Sequence, residues 1–439
     1  KNMAGFFGGV HPNDKKALSS EMAIECLPAP KTVVIPMSMH IGAPCKPLVK
    51  KGDLVTVGQK IGDNTGLCVP IHASVSGKVL AVEPRPHPNG TNVMSVVIEN
   101  DFQDTLCETV QPRESIEGLS GEELTKIIHE AGIAGMGGAT FPTDVKISSG
   151  VGKLDTIIVN AAECEPYITS DDRLLRETPE RVLEGLRVLL RIFGLEKGYI
   201  GIEANKKAAI SVLQEKCPAG GDIVVQVLKT RYPQGAEKQL IQTVTGRQVP
   251  PGGLPAAVGC GVFNAATCAA IYDAVYLGMP LVKRGVTVTG EAITTPKNFI
   301  APIGTPLSDL IAAADGFSSD PYKVLTGGPM MGMTQFDLSV PVIKGTNAVT
   351  CFTRKQKVEV KVPHCIRCGR CVGVCPMHLM PLYLYQAERK DNIDELSRRN
   401  VNDCIECGSC AYICPARIPL VQSFKNGKAK VKAAAAKKN

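Results

Sequence analysis

The chain contains no tryptophan, and its aromatic residues amount to only 5%. That scarcity excludes the stacking platforms on which single-stranded nucleic acid binds, so nucleic acid is not an expected partner. A long apolar run is missing too. The longest uncharged stretch, residues 254–272, is interrupted by Pro255, Gly259, Gly261, Asn264 and Thr267. It reads as a buried loop followed by a helix, and not as a membrane span. No basic-then-apolar leader with a small-residue cleavage site opens the sequence. Seventeen cysteines without such a leader point to a reducing compartment and to metal, not to disulfides.

Charge of one sign is scarce until the end. Residues 424–439 hold Lys425, Lys428, Lys430, Lys432, Lys437 and Lys438 and no acid. Without these six lysines, basic and acidic residues are almost equal in number. A basic end on a neutral body has two readings: contact with an acidic partner or an anionic membrane surface, or a solvated, disordered terminus. The remainder has the balance of soluble domains with a real core, 44% apolar and 21% charged, and 439 residues suffice for about three domains.

Residues 40–100 are rich in Gly, Pro, Val and Ile. The runs 49–62 and 71–82 read as short strands punctuated by glycine turns, and the pattern resembles the barrel-sandwich of biotinyl and lipoyl carrier domains. Those domains present a modifiable lysine at a hairpin tip. Residues 62–74 contain none, so a scaffold is expected here and not a carrier.

The period then changes. Ser120-Gly-Glu-Glu123 fits a capping box opening a helix to about Ala131, which Gly132 ends. Residues 156–160 form a short buried strand, and Thr178-Pro179 reads as an N-cap with proline at the first helical position. Strand 198–202, helix 206–216 and strand 223–228 follow. This alternation predicts an α/β domain with a largely parallel sheet and a ligand at the carboxyl ends of its strands. From Gly285 the chain turns β-rich, with a helix over 307–314, and a charged connector over 353–361 leads to the cysteines.

Two near-copies of one motif close the sequence: Cys365-x-x-Cys368-x-x-Cys371-x-x-x-Cys375-Pro and Cys404-x-x-Cys407-x-x-Cys410-x-x-x-Cys414-Pro. Structural zinc sites usually pair two C-x-x-C units across a loop. Four cysteines in eleven residues before a proline instead fit two [4Fe–4S] clusters, with the fourth cysteine of each run ligating the other cluster. The expected sets are Cys365, Cys368, Cys371 and Cys414, and Cys404, Cys407, Cys410 and Cys375. Gly369 and Gly408 stand where backbone must approach sulfide. Two such clusters make an electron wire. The other nine cysteines (26, 45, 68, 107, 164, 217, 260, 268 and 351) show no ligand spacing and read as small buried side chains. Cys164, between two acids, is the one that stands apart.

The loop Gly135-Met-Gly-Gly-Ala-Thr-Phe-Pro-Thr143 is a weak signal alone, being also a plain turn. Asn160-Ala-Ala-Glu-Cys-Glu-Pro166, at the end of the first buried strand, strengthens it. Two acids at a strand end beside a glycine loop make a plausible flavin or nucleotide pocket.

With these residues the chain resembles the flavin- and NADH-binding subunit of respiratory complex I. It is closer still to the C-subunit family of the Rnf complex, an ion-pumping NADH:ferredoxin oxidoreductase, whose start resembles Gly8-Gly-Val-His-Pro12 here. The resemblance covers residues 5–423. It implies a multidomain α/β protein: an N-terminal β barrel-sandwich-like domain (1–110), a Rossmann-like FMN/NADH-binding α/β core (111–283), a small β-grasp-like domain of SLBB type (284–350), a two-cluster ferredoxin-like domain (351–423) and the basic tail (424–439). It implies FMN, two [4Fe–4S] clusters and NAD(H), with Gly135, Gly137, Gly138 and Phe141 lining the flavin and nicotinamide site. Lys146 would approach the flavin phosphate or ring. Asn160, Glu163 and Glu165 would face the isoalloxazine, Glu165 touching NADH. Asn264 and Thr267 would lie near the phosphate, and Glu237 is the acid retained in a third segment. Implied partners are an iron–sulfur subunit and membrane-embedded subunits, with this chain peripheral on the cytoplasmic side of the plasma (inner) membrane. Met136 and Ala162 depart from the complex I pattern, which has arginine and aspartate there. They favour a rival reading, a non-catalytic iron–sulfur relay or scaffold subunit without flavin. A hydrogenase- or dehydrogenase-associated flavoprotein is a third.

Overall fold

The computed structural model describes residues 5–356 and 364–436. The second half of the charged connector, and Lys437 and Lys438, lie outside them.

Two antiparallel sheets form the N-terminal unit. One holds Thr32–Pro36, Asn92–Asn100, Gly77–Pro86 and Leu54–Val55, and the other Lys46–Pro47, Lys60–Asp63 and Ile71–His72. Val33, Ile35, Ile61, Ile71, Val79 and Ile98 alternate inward and are wholly buried. Their core continues into the α/β domain without a break, through Leu124, Ile128, Ile157 and Leu189. Barrel and α/β domain are thereby packed as one body.

In the α/β domain the capping box forms. Ser120 accepts from the Glu123 N–H, the Glu123 carboxylate accepts from the Ser120 N–H, and the helix runs Gly121–Glu130. Four strands make a wholly parallel sheet in the order Ile223–Leu228, Gly198–Glu203, Thr156–Ala161, Cys260–Asn264. The last strand lies inside the uncharged run expected as loop plus helix. Five residues leading directly into helix Ala265–Tyr276 carry too little alternation to announce a strand. Thr178 precedes helix Pro179–Phe193 as expected, but its side chain caps nothing. It also ends helix Ser170–Glu177, and its Oγ1 is turned back to donate to the Leu174 carbonyl at 3.4 Å.

The third sheet has six strands in the order Ile24–Cys26, Lys297–Pro302, Lys283–Thr289, Ala348–Phe352, Lys323–Thr326, Met333–Gln335. Its edge strand Ile24–Cys26 comes from the N-terminal segment, too short and too polar to register as a strand in sequence. The Gly8-Gly-Val-His-Pro12 start is likewise a strap. Gly9 N–H donates to the Val374 carbonyl of the cysteine module (2.8 Å), and Val10 exchanges backbone bonds with Tyr232 of the α/β domain (2.8 and 2.9 Å).

The cysteine module closes around Leu384, Leu396, Val401, Ile418, Leu420 and Phe424. Here the tail expectation needs correcting. Residues Leu420–Ala436 form one helix, and Phe424 is fully buried in the module. Lys428 donates to the Cys404 carbonyl and to Glu406, and Lys430 pairs with Glu388 and Asp391. The tail's acidic partners, at least for these two lysines, are in the module itself. Of the nine remaining cysteines, most of them expected to be buried, Cys26 is exposed, Cys107, Cys164 and Cys217 are half-buried, and the other five are interior.

Candidate functional site

Two cavities share a wall between the α/β domain and the cysteine module, and a third lies within the module. The largest, about 480 Å³, opens at the carboxyl ends of the parallel strands. Gly135, Gly137, Gly138, Phe141, Lys146, Asn160, Glu163, Glu165, Glu237, Asn264 and Thr267 all line it. Strands Thr156–Ala161 and Cys260–Asn264 are adjacent and in register at Asn160 and Asn264, which brings these sequence-distant residues together.

Each wall has its own chemistry. Asn264 caps helix Ala265–Tyr276, its Oδ1 accepting from the Ala266 and Thr267 N–H groups, while its Nδ2 donates to Asp171 at 2.7 Å. Thr267 Oγ1 accepts from the Met136 N–H (3.0 Å) and so ties the glycine loop to that helix. Asn160 donates to the Gly235 carbonyl and accepts from Ala162. Lys146 and Glu237 pair across the mouth at 2.7 Å.

The strand-end acids are held in a bent segment in which Glu163 and Tyr167 have left-handed φ values of 44° and 72°. Residues other than glycine pay for that conformation, and it concentrates at functional sites. Glu163 accepts from the Asp171 N–H at 2.7 Å, its side chain is 4% exposed, and its Oε2 has no hydrogen-bond partner among the described residues but lies 3.6 Å from the Lys16 ammonium. Glu165 accepts from the Met330 and Met331 N–H groups (3.2 and 2.8 Å) of a loop arching over the cavity. Burial pushes both carboxyls up to about 7. Lys16, reaching in from the N-terminal segment, supports this bend by donating to the carbonyls of Glu165 and Ile168. Cys164 Sγ accepts from the Gly235 N–H, and burial pushes its thiol up to about 12, so it is a protonated packing group and not a nucleophile.

The raised carboxyls carry a pH signature. An ordinary glutamate releases its proton near 4.5, whereas folded Glu163 holds its proton to about 7. Between those values the folded state binds more protons, so the stability this group contributes is full below pH 4.5 and is lost as pH rises to 7. The loss is on the order of 3 kcal/mol. Denaturant titrations of flavin-free protein from pH 5 to 8 should show Glu163→Gln losing less stability than the parent. Parallel curves would mean that Glu163 is ionised throughout.

The other two cavities lie in the cysteine module. Cys365, Cys368, Cys371 and Cys414 surround one, and Cys375, Cys404, Cys407 and Cys410 the other. The fourth thiol of each run is thus grouped with the first three of its partner run. The two loops repeat each other in backbone as well as in sequence. Gly369 and Gly408 have φ values of 73° and 81° and start short helices, and Arg367 and Glu406 match at 54° and 56°. Among the described residues no three His, Cys, Asp or Glu side chains converge as a single ion requires. Four thiols standing around a cavity have the donor set of a [4Fe–4S] cube.

Sequence reasoning missed the junction between these sites. Cys407 and Ile405 line both the large cavity and the second cysteine cavity. Tyr232, buried between them, donates its hydroxyl to the Cys407 carbonyl at 2.7 Å. The first quartet lines no part of the large cavity, and its Cys368 is exposed. No motif marks Tyr232, and only the fold brings it to Cys407.

Comparison with known proteins gives four family matches in chain order. The RnfC barrel sandwich hybrid domain matches residues 4–103 and the Nuo51 FMN-binding domain 128–273. The SLBB domain matches 286–334 and the 4Fe-4S dicluster domain 357–415. The C subunit of the Na(+)-translocating ferredoxin:NAD(+) oxidoreductase complex of Acetobacterium woodii is 47% identical over 429 residues, 97% of each chain. The C subunit of the proton-translocating counterpart in Clostridium ljungdahlii is 44% identical over 90% of this chain and 86% of its own. The C subunit of the ion-translocating oxidoreductase complex of Rhodobacter capsulatus is 43% identical, covering 97% and 82%. Among solved structures, an NAD+-reducing [NiFe]-hydrogenase in the H2-reduced state shares the fold, with a TM-score of 0.50 and 20% identity over 71% of this chain and 63% of that one.

Proposed function

The chain belongs to the C-subunit family of the Rnf-type, ion-translocating ferredoxin:NAD+ oxidoreductase complexes, and we propose that in such a complex it is where nicotinamide and iron–sulfur electron transfer meet. Its cofactors are FMN and two [4Fe–4S] clusters. The observation that carries the proposal is the shared wall at Cys407 and Ile405, where the second cysteine quartet borders the large cavity, while the first quartet shares no wall with it.

The residues present fit the flavin. Gly138 faces open space, the buried Glu163 carboxylate lines the cavity with Lys16 as its counter-charge, and Asn264 and Thr267 at a helix N-terminus line it too. Gly135, Gly137 and Gly138 leave room for close backbone approach. Asn264 and Thr267 close the phosphate end with Lys146 as cation and Glu237 as its counter-charge. Asn160 and Glu163 bound the ring, and Phe141 and Glu165 contact the nicotinamide. Bound FMN supplies the exchange between two-electron hydride chemistry and single electrons. A carboxyl that titrates near 7 can hold or release a proton at the cavity wall as charge changes there. Tyr232 and Met330 pack with Cys407 at the junction of the two cavities.

In the assembled complex this chain exchanges electrons with NAD(H) on one side and, through the outer quartet, with an iron–sulfur partner on the other. No helix among the described residues is long and apolar enough to cross a membrane. As a C subunit of such a complex the chain would sit peripherally on the cytoplasmic face of the plasma membrane, and membrane-embedded partners would move the ion. The test is direct. Isolated protein should hold about one FMN, and anaerobic NADH should bleach flavin and cluster absorbance together. Intact clusters without flavin, and no response to NADH, would select the relay-only reading that Met136 and Ala162 favour.

A further inference from the structure

Behind the glycine loop lies another cavity, about 290 Å³, where the barrel, the α/β domain and the six-stranded sheet meet. Met136 separates it from the flavin cavity and lines both. Its walls are largely apolar, with Leu174, Ala269, Ala270 and Ile300 among them. One charged group stands out inside.

Arg284, on strand Lys283–Thr289, is 3% exposed. Its Nε donates to the Thr346 carbonyl (3.1 Å) and its Nη1 lies 2.9 Å from the Met136 sulfur. Among the described residues no carboxylate stands within salt-bridge distance of it. Asp171 also lines the cavity and is felt by Arg284, but it is hydrogen-bonded to Asn264, makes no ion pair with the guanidinium, and has its carboxyl pushed up, towards the neutral form, by burial. Of the remaining charged residues that line the cavity, Arg181 and Asp273 neutralise each other as a bidentate pair, and Asp104 and Lys283 are exposed to solvent. Burial lowers the guanidinium's pKa to about 10, so it remains charged at neutral pH. An unpaired buried cation is costly and is normally matched by an anion.

We propose that this cavity is a second small-molecule site, which takes a monocarboxylate with an apolar body. Size and charge set the class. The volume is about twice the roughly 150 Å³ that holds one benzene, so it suits about a dozen non-hydrogen atoms. A guanidinium grips a carboxylate through paired hydrogen bonds, and one cation offsets one negative charge, where a phosphate dianion would remain half uncompensated. The occupant would press on Met136, and through it on the flavin wall.

Isothermal calorimetry on the full chain, with flavin and clusters in place, tests the site with 4-phenylbutyrate and its neutral analogue 4-phenylbutanamide. The acid should bind at least about tenfold more tightly than the amide, the worth of one charge-assisted hydrogen-bond pair. Arg284→Gln should erase that preference. Because this change also removes a bond to Thr346, Ala269→Leu provides a second arm: it fills the cavity and leaves every charge in place. It should weaken acid and amide alike, with iron and flavin content unchanged. Equal binding of acid and amide to the parent protein, binding undiminished in Ala269→Leu, or no binding of the acid at millimolar concentration would each overturn the proposal.

Discussion

Replacing Cys407 by alanine should lower the iron content from about eight to about four per chain and disconnect the surviving cluster from NADH. Cys407 lies in the wall of the flavin cavity, while Cys368, in the other quartet, is exposed. Loss of the inner cluster therefore removes the first station of the relay and leaves the outer one stranded. Cys368→Ala should do the reverse, removing the outer cluster and leaving a flavin that still exchanges electrons with the inner one. Iron analysis establishes that one cluster is lost, the substituted ligand identifies which, and anaerobic stopped-flow mixing with NADH reads the remaining one. In Cys407→Ala the cluster signal should stay oxidised on the timescale on which Cys368→Ala reduces its own. Equally fast reduction in both variants would mean that electrons reach the outer quartet by a route avoiding Cys407.

The two quartets were legible in sequence because cluster ligation is a matter of local spacing. Three cysteines on one tight loop announce themselves, and the crossed fourth ligand follows from having two such loops. The strand–helix alternation was readable for a similar reason, since runs such as 198–228 carry their period within a few residues. What escaped depends on contacts between distant segments. Ile24–Cys26 becomes a strand only because Lys297–Pro302 offers an edge. The lysine-rich end looked like a free tail because its acids, Glu406, Glu388 and Asp391, lie earlier in the chain and reach it only through folding. Lys16, Tyr232 and Arg284 carry no motif. Their part is set by burial beside the flavin cavity, a property no single-sequence pattern encodes.

The glycine loop separates flavin binding from fold stability more sharply than its sequence implies. By composition Gly137 and Gly138 are equivalent, and a side chain at either should intrude on a bound ligand. Structurally they differ. A Cβ on Gly137 would stand 2.9 Å from the Asn264 Cβ and 3.2 Å from its amide nitrogen, whereas one on Gly138 meets no atom of the chain within 4 Å. Asn264 is the cap of helix Ala265–Tyr276 and the partner of Asp171, so Gly137→Val must displace a residue that holds the site together. That variant should lose its flavin and also about 1 kcal/mol or more of stability in the flavin-free state, the usual cost of a lost helix cap. Gly138→Val should leave the flavin-free protein within about 0.5 kcal/mol of the parent, as substitutions into open space do. It should nevertheless weaken FMN binding at least about a hundredfold, because the space its side chain enters is the ligand's. Both variants should keep about eight iron atoms per chain, the module being separately packed around Leu384 and Phe424. Equilibrium denaturation of the flavin-free proteins and FMN titration by fluorescence quenching read the two effects independently. Undiminished FMN affinity in Gly138→Val would place the flavin elsewhere in the cavity, away from the loop.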